Sequence, residues 1–363
     1  MLRGRGERGG SAATTTSAGA GRDDEAIPVG PVLLVLLASL LILFIKPMWN
    51  RPATPGTDIA ESFYSIDEEQ LQAHIIDTSY ELRTTFVSST FDEATQAFLS
   101  DCKAASATRQ GRIVLHGRHQ TYLAIQRVLG WSHTDAAGWL GHVKLFPASE
   151  AQLRRTLIST RQPTMTGAEG TTMLLDIGAG EGTVTEILSA ALGVKKAGHV
   201  WTVETSPPHQ QSLAQRGYHS VSSFDELPPK STFDAVALLH VLDRCDQPLD
   251  LLELTAKRVA PGGLLILATP LPFCAKVWSG RFGRVLNSRP PDAPLQLTPR
   301  GGCDDEPPFE MSVSAFAASV LAPLRDVGLV VESWTRLPYL SCGTAKTHHA
   351  LDSALFILRR REE

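Results

Sequence analysis

The sequence predicts an α/β protein built around a mostly parallel sheet with helices on both faces. From Thr172 onward, short apolar runs alternate with helical stretches. Parallel strands need crossover helices and are buried on both sides, so they produce this alternation. The last two runs, about 329 to 336 and 353 to 359, have no helix of useful length between them. We therefore expect them to form an antiparallel pair at one edge of the sheet.

Composition bounds the class of protein before any motif is considered. The chain has 363 residues, 43% hydrophobic and 20% charged, which suits one large globular domain or two smaller ones. Its 34 basic and 38 acidic residues give no global field for binding a polyanion, so we expect no nucleic-acid partner. Five cysteines without CxxC or histidine-rich spacing argue against a complete disulfide framework, and against a zinc module or other structural metal.

The N-terminal region contains a candidate membrane segment. Residues 1–28 are rich in Gly, Ala, Ser, Thr and Arg, a composition that favours disorder. Residues 29–45 are 17 amino acids without a charge, followed by Lys46 and Trp49, which suit a membrane interface. We interpret 29–45 as a membrane anchor or signal segment rather than a buried core helix, and 46–58 as a linker.

The charges around this segment bear on location. Four arginines precede it, whereas only Lys46 and Arg51 follow closely, which favours a cytosolic N-terminus and a translocated body. We expect a membrane-anchored protein, or one directed to the secretory pathway or an organelle. The endoplasmic reticulum is favoured over the mitochondrion, and the sequence leaves open whether the segment is cleaved.

Residues 59–160 predict a helical N-terminal extension of the domain that follows. Its stretches carry apolar residues at three- and four-residue intervals, as amphipathic helices do. Thr90 or Asp92 is placed to cap the helix within TFDEATQAFLSDCKAA. We expect packing rather than ligand contact from the aromatic residues and the histidine near the end of the extension, which are Trp131, Trp139 and His142.

Residues 161–363 carry the motif of a cofactor-binding turn. The string LLDIGAGEG (174–182) ends an apolar strand and leads into a helix. Its spacing differs from the G-x-G-x-x-G fingerprint of dinucleotide enzymes. The glycines, which let the backbone turn tightly and approach a ligand, are Gly178, Gly180 and Gly182.

Acidic residues around this turn indicate which cofactor it takes. Asp176 precedes the glycines and Glu181 lies among them, so a pyrophosphate would be repelled. We predict S-adenosylmethionine, which carries a sulfonium and an α-amino group but no phosphate. Glu204 ends the next strand, where a carboxylate can accept from two ribose hydroxyls. Phe224 and Asp225, after the third strand, either contact the adenine or belong to an ordinary loop. Together with the terminal hairpin, these features predict the seven-strand, Rossmann-like sheet of class I methyltransferases.

The fourth strand ends in a charged turn within LLHVLDRCDQPLD (238–250). In open α/β sheets, ligands bind at the carboxyl ends of the strands, and this turn places His240 and Asp243 there. We expect both side chains to reach the methyl group and the incoming nucleophile. Asp246 and Pro248 instead start a helix, with Asp246 as its cap.

Several strings together resemble the DREV family, the methyltransferase-like nine proteins, which methylate histidine in proteins. They are LLDIGAGEGTVTEI, LDRCDQPLDLL, LPF (271–273), WTRLPYL (334–340) and the ending LDSALFILRR. The resemblance spans about residues 86 to 360 and does not include the N-terminal tail. It implies transfer of methyl to the pros nitrogen, giving 1-methylhistidine, in His-x-His motifs of protein substrates.

The resemblance also implies roles for individual residues. Glu204 would hold the ribose, and Asp243 would contact the substrate imidazole, fix its tautomer and take its proton. Tyr339 would line the cofactor and substrate cavity, with Arg336 on the substrate side, and simple packing at the strand end is the alternative for both. His240 stands where the family usually has asparagine, which leaves its contact with cofactor or substrate open. His240, Asp243 and Tyr339 are therefore the candidate catalytic residues.

Two functions of other kinds stay open as alternatives. A small-molecule methyltransferase, acting on a quinone or phenol at a membrane, would share the cofactor half of the site. A non-catalytic protein could keep the same fold as a donor-binding scaffold. The segment from Lys276 to Pro308, rich in Pro, Gly and Arg, is interpreted either as a substrate-side lid or as a flexible insertion.

Overall fold

The computed structural model describes residues 64, 66–73, 78–129, 131–141, 143–158, 172–279, 287–293, 295, 297, 307–342 and 348–362. The tail (1–28), the membrane or signal segment (29–45) and the linker (46–58) of the sequence analysis lie outside these residues, and so does His142. Within the described ranges, no helix is both long enough and apolar enough to cross a membrane.

Helices form most of the N-terminal extension, as its apolar periodicity predicts. Asp92 caps the third of them, because its Oδ1 accepts a hydrogen bond from the Thr95 amide at 2.9 Å. The fifth helix ends at Gly141, whose left-handed backbone lets its amide bond back to Ala137. These helices are α1 (Glu68–Ala73), α2 (Thr78–Thr85), α3 (Glu93–Ala107), α4 (Arg109–Leu129) and α5 (His133–Leu140).

The central sheet has eight strands in the described chain, and a separate two-stranded ladder lies beside it. The sheet strands are β1 (Lys144–Phe146), β2 (Leu174–Ile177), β3 (Val200–Val203), β4 (His219–Val221), β5 (Phe233–Leu239), β6 (Val259–Pro270), β9 (Leu329–Cys342) and β10 (His348–Arg360), and the ladder is β7 (Val277–Ser279) with β8 (Asn287–Arg289). Their order across the sheet is β1-β9-β10-β6-β5-β2-β3-β4. The half from β6 to β4 is parallel, whereas β10 runs antiparallel to both β6 and β9.

The antiparallel half of the sheet confirms one expectation and corrects another. β9 and β10 pair antiparallel, as the missing crossover helix predicts. They do not form the edge of the sheet, because β10 lies between β6 and β9, and the short strand β1 is added outside β9. β1 comes from a region that the sequence predicted to be wholly helical. With only three residues, two exposed and one buried, it is too short to produce a readable alternation.

Helices cover both faces of the sheet, so the core has two layers. They are α6 (Glu150–Ile158), α7 (Thr183–Leu192), α8 (Pro207–Gln215), α9 (Pro248–Arg258), α10 (Phe309–Phe316), a π-helical turn (Ala317–Leu321) and α11 (Ala322–Asp326). α6 and α7 pack on one face, where Leu153 and Leu188 are buried. α2, α9 and α10 pack on the other, around Trp334 of β9, which is fully buried. The indole of Trp334 donates to the Leu82 carbonyl at 2.5 Å, which ties the N-terminal extension to the sheet.

A disulfide also joins the extension to the sheet. It links Cys102 of α3 to Cys342 at the end of β9, across a sequence separation of 240 residues. The cysteine count gave no sign of this bond, because a pair so far apart leaves no local spacing pattern. Cys245 is the free cysteine of the described residues.

We expect Asp92→Ala to lower the free energy of unfolding by about 1 to 2 kcal/mol, because it removes the cap of α3. The same change removes a hydrogen bond from Ser149 Oγ, which ties this helix start to the segment before α6. Urea unfolding followed by circular dichroism measures the loss. Glu93→Ala, an exposed neighbour, is the control, and an equal loss in both variants would contradict the capping role.

Candidate active site

The glycine-rich turn between β2 and α7 has the backbone that only glycine adopts readily. Gly178, Gly180 and Gly182 have φ values of 73°, 58° and 90°. At Gly178 an added Cβ would lie 2.5 Å from Cγ2 of Val241, so the turn also needs glycine for close approach. The Gly178 amide donates to the Val203 carbonyl at 2.8 Å, which holds the turn against the end of β3.

Glu204 lies directly beside this turn, as predicted. It follows β3, its side chain is buried, and its Oε2 accepts a hydrogen bond from the Gly180 amide at 2.8 Å. Its Oε1 accepts from the Ser206 amide at 2.9 Å. A carboxylate offers about four acceptor positions, so two backbone bonds orient the group and leave acceptors for ribose hydroxyls.

Asp176 and Glu181 both make hydrogen bonds that support the glycine turn. Asp176 is buried, and its Oδ2 accepts from Thr185 Oγ1 of α7 at 2.6 Å. Burial raises the pKa of Asp176 to about 7, with the Thr185 hydrogen bond opposing the rise. The Glu181 carboxylate accepts from Thr183 Oγ1 at 3.0 Å, and its carbonyl accepts from Arg216 Nε of α8 at 3.0 Å. Both residues are therefore seen supporting the turn.

Phe224 and Asp225 lie on a 3₁₀ turn, Phe224–Glu226, which follows β4 at the parallel edge. The ring of Phe224 is half-buried against the core, and its carbonyl accepts from Arg258 of α9 at 3.3 Å. Asp225 is exposed. The placement of both residues beyond the end of β4 leaves the adenine contact a prediction.

His240 directly follows β5 and has a left-handed backbone, φ 55°, and a buried ring. Ser353 Oγ donates its single hydrogen to the Thr269 carbonyl at 2.9 Å, so at 3.3 Å it accepts from His240 Nε2. This fixes the tautomer and leaves Nδ1 as a buried acceptor with no partner among the described residues. Burial lowers the pKa of His240 well below its usual value, and the nearby Arg244 charge lowers it further. The imidazole is therefore neutral at physiological pH.

Asp243, Arg244 and Tyr339 complete a cluster around His240. The ring of Tyr339 meets the His240 ring edge-on, with centroids 3.9 Å apart. Asp243 and Arg244 lie on the 3₁₀ turn Leu242–Arg244, their charged groups 3.3 Å apart, and Arg244 Cζ lies 5.7 Å from the Tyr339 ring centre. Burial raises the pKa of Asp243, and Arg244 partly opposes the rise. Two segments about 100 residues apart thus meet at one strand end, as the sequence predicts.

Arg336 lies in an ion-pair network rather than at an open substrate surface, which favours the packing alternative over the substrate-side role. Its guanidinium donates to both oxygens of Asp352 on β10, at 3.0 and 3.1 Å from Nε, and lies 3.5 Å from Glu310 of α10. It also stacks over the Phe309 ring at 4.1 Å. Only 14% of the Arg336 side chain is exposed, and these contacts occupy its guanidinium. Its influence on the site runs through Asp352, whose neighbour Ser353 contacts His240.

The described part of the 276–308 segment docks onto the charged turn. The Lys276 amide donates to the Asp243 carbonyl at 2.8 Å, and the Ala293 amide donates to the Asp246 carbonyl at 3.0 Å. Asp246 is not the cap of α9, because the N-cap position is Gln247 and carries no side-chain cap. The Asp246 carbonyl instead accepts a hydrogen bond from this segment. The loop after β6 therefore supports the turn that carries Asp243.

Ser353, Asp352 and Arg244 are the site residues that the sequence analysis did not assign. Arg244 lies within the quoted LDRCD string and could have been found there. Ser353 and Asp352 become neighbours of His240 and Arg336 through the pairing of β10 with β6 and β9. That register cannot be deduced from the sequence of either strand alone.

We expect Arg336→Met to destabilise the fold by about 3 kcal/mol at pH 7, because it leaves Asp352 and Glu310 without their cation in a buried place. Burial already raises the pKa of Asp352 with Arg336 present. A carboxyl whose pKa is higher in the folded state binds a proton on folding, so the loss should shrink as the pH falls.

Chemical unfolding at pH 7 and pH 5 measures both effects. Arg325→Met, which breaks the exposed pair with Glu81, is the matched control. A loss in Arg336→Met no larger than in this control, or one independent of pH, would contradict the network.

Two solved structures illustrate what this chain is similar to. The N-methyltransferase NodS from Bradyrhizobium japonicum WM9, in complex with S-adenosyl-L-homocysteine, is 17% identical, with 59% of this chain and 86% of that chain covered and a TM-score of 0.34. Precorrin-6y C5,15-methyltransferase from Geobacter metallireducens GS-15 is 13% identical, with 59% and 87% covered and a TM-score of 0.31. Likeness at this level assigns no chemistry to this chain.

The family comparison is more specific. The model of the DREV methyltransferase family matches residues 73–360, which include every site residue described above. S-adenosylmethionine is the methyl donor, and the site fits it. Gly178 has no room for a Cβ, Glu204 supplies an acidic strand end, and Nδ1 of His240 is a buried neutral acceptor. The chain belongs to the DREV methyltransferase family.

Proposed function

We propose that this chain is a protein-histidine methyltransferase that modifies the pros nitrogen of a histidine in His-x-His motifs. The observation that carries the proposal is the cluster that follows β5. Asp243, whose pKa burial raises, pairs with Arg244, and Arg244 lies beside the Tyr339 ring that packs edge-on against His240. The family membership and the LDRCDQP and TRLPYL strings support the same reading.

An imidazole suits this arrangement because it needs little activation. With an ordinary pKa near 6.5, it is largely neutral and nucleophilic at pH 7. The enzyme must choose one of the two ring nitrogens, hold the ring and accept a proton. Asp243 accepts from the tele N–H of the substrate ring, which leaves the lone pair on the pros nitrogen.

The same carboxylate completes the proton balance. When bound, S-adenosylmethionine supplies an electrophilic methyl group, which the pros nitrogen takes while the sulfur keeps the electron pair of the broken bond. Asp243 stabilises the imidazolium that forms and takes its tele proton. The raised pKa of Asp243 makes it a better acceptor than an exposed aspartate. Arg244, 3.3 Å away, keeps the carboxylate available in its charged form before transfer.

The donor is held from the parallel half of the sheet. Glu204 binds the ribose hydroxyls, and the backbone of Gly178 and Gly180 makes room for the methionine part. His240, a neutral acceptor through Nδ1, receives a hydrogen bond from an N–H of the donor or of the substrate, where the family usually presents an asparagine. Tyr339 packs against His240 and limits the space between donor and substrate.

We expect Asp243→Asn to lower kcat on an Ala-His-Ala-His peptide by about 100-fold or more, with the affinity for S-adenosylhomocysteine changed little. In the unaltered enzyme, activity should fall as the pH drops through the raised pKa of Asp243, because the protonated carboxyl cannot accept. The variant should keep only the acid limb that comes from protonation of the substrate imidazole, at about pH 6.5. Glu253→Gln, on the exposed face of α9, is the control.

The assay uses labelled S-adenosylmethionine, with mass spectrometry to locate the methyl group. Peptides in which either histidine is replaced by alanine, and unrelated lysine and arginine peptides, define specificity. Label at the tele nitrogen, or label that persists in Asp243→Asn, would contradict the assignment. Donor binding without any labelled peptide would turn the search to small phenols and quinones, and absence of donor binding would favour a scaffold.

We expect Glu204→Gln to weaken S-adenosylhomocysteine binding by about tenfold to 100-fold, because hydrogen bonds to a charged group are replaced by weaker ones. Isothermal titration calorimetry measures the change. Glu181→Gln, whose carboxylate bonds only to Thr183 in the described contacts, should bind within about threefold of the unaltered chain. Equal weakening in both variants would place the ribose elsewhere.

A further inference from the structure

The Cys102–Cys342 disulfide lies outside the active site and serves no step of the proposed reaction. Cys102 is on α3, Cys342 is at the end of β9, and their Cα atoms are 6.1 Å apart. Their side chains are only 3% and 6% exposed. Cys274 is also disulfide-bonded, so most of the cysteines described are oxidised.

The bond strengthens a weak junction. α3 meets the sheet through a small apolar cluster, whose buried members are Leu99, Phe146 and Leu340. Helices α4 and α5 pack around a second small cluster, built on Tyr122, Ile125 and Ala136. Neither cluster is part of the two main core layers. Because so little apolar surface holds these helices, a covalent link from α3 to β9 has a large effect on their position.

The same helices reach the donor site. At the start of α5, Asp135 Oδ1 accepts a hydrogen bond from Ser206 Oγ at 2.7 Å. Ser206 in turn donates its amide to Glu204, the residue assigned to the ribose. α5 also packs against α8, where the ring of His209 fills the space above Gly138. The position of α3 to α5 therefore bears on the orientation of Glu204.

Disulfides that persist indicate the redox compartment in which a protein folds. Protein thiols stay reduced in the cytosol, whereas buried disulfides form and persist in the secretory lumen. The uncharged stretch at 29–45, with its arginines on the N-terminal side, is consistent with a body that has crossed a membrane. Closing the bond removes two protons and two electrons from the thiols of Cys102 and Cys342, and the disulfide of an oxidoreductase accepts them by thiol–disulfide exchange, becoming a dithiol.

We propose that the catalytic domain matures in an oxidising secretory lumen, where the Cys102–Cys342 bond fixes the helices α3 to α5 against the donor site. The substrate class follows, and this part rests on the proposed function: substrates are proteins that expose His-x-His motifs in the same lumen. The lumenal location and the Cys102–Cys342 bond are tested without any methyl-transfer assay. A negative result for either one is therefore distinct from a negative result for the proposed function.

The first experiment determines the oxidation state of the full-length chain in eukaryotic cells. Thiols are blocked by alkylation at lysis, and peptides are analysed by mass spectrometry without reduction. We expect a peptide pair linked through Cys102 and Cys342, with alkylation at Cys245. Alkylation of both Cys102 and Cys342 would overturn the proposal.

The second experiment reports the side of the membrane. Asn50 and Asn287 are not in N-x-S/T sequons, so an engineered site is unambiguous. Lys195→Asn with Ala197→Thr creates Asn-Lys-Thr in an exposed loop before β3. We expect a glycan that an endoglycosidase removes, and none in Lys195→Asn alone. Absence of the glycan in the double variant would overturn the lumenal location.

The third experiment tests the effect on donor binding with the purified full-length chain in detergent. Reduction should weaken S-adenosylhomocysteine binding by about tenfold, whereas Cys102→Ala with Cys342→Ala should bind weakly with or without reductant. If that double variant still responds to reductant, the effect belongs to Cys274 and the Cys102–Cys342 role is overturned. Unchanged binding after verified reduction would overturn it as well.

Discussion

The ion pair between Arg336 and Asp352 supports the antiparallel side of the candidate active site. It joins neighbouring strands β9 and β10 and is only slightly exposed, so each charge depends on the other. The Asp352 carbonyl accepts from the Leu271 amide at 3.0 Å, which fixes the chain as it leaves β6. The next residue, Ser353, contacts His240. The antiparallel end of the sheet therefore sets the position of the strand end at which transfer is proposed.

Both halves of the sheet contribute to the candidate site. The parallel half carries the glycine turn, Glu204 and the turn with His240 and Asp243, while the antiparallel half carries Tyr339 and Ser353, which contacts His240. Arg244 lies where they meet and lowers two pKa values, those of Asp243 and His240. For the aspartate, this preserves the charged form that accepts a proton. For the histidine, it preserves the neutral form. One cation thus favours both the charged form of Asp243 and the neutral form of His240.

Features that depend on local spacing were predictable from the sequence, and those that depend on distant pairing were not. Glu204 beside the glycine turn, Asp92 as a cap and the antiparallel β9–β10 pair all follow from patterns within a few tens of residues. Other features require knowing which strand lies next to which, as with β1, the partners of Arg336 and the disulfide. The predicted cap of α9 was wrong by one residue, because the N-cap position is Gln247 and not Asp246.

The left-handed backbone at His240 restricts what evolution can place there. With φ at 55°, a β-branched or bulky aliphatic residue would be strained, whereas asparagine, aspartate and histidine are the non-glycine residues that tolerate this region best. The asparagine usual in the family and the histidine of this chain are then two solutions to a single steric demand. Substitution at this position therefore favours glycine or a few polar residues, so the shape of the main chain itself favours a hydrogen-bonding side chain at the end of β5.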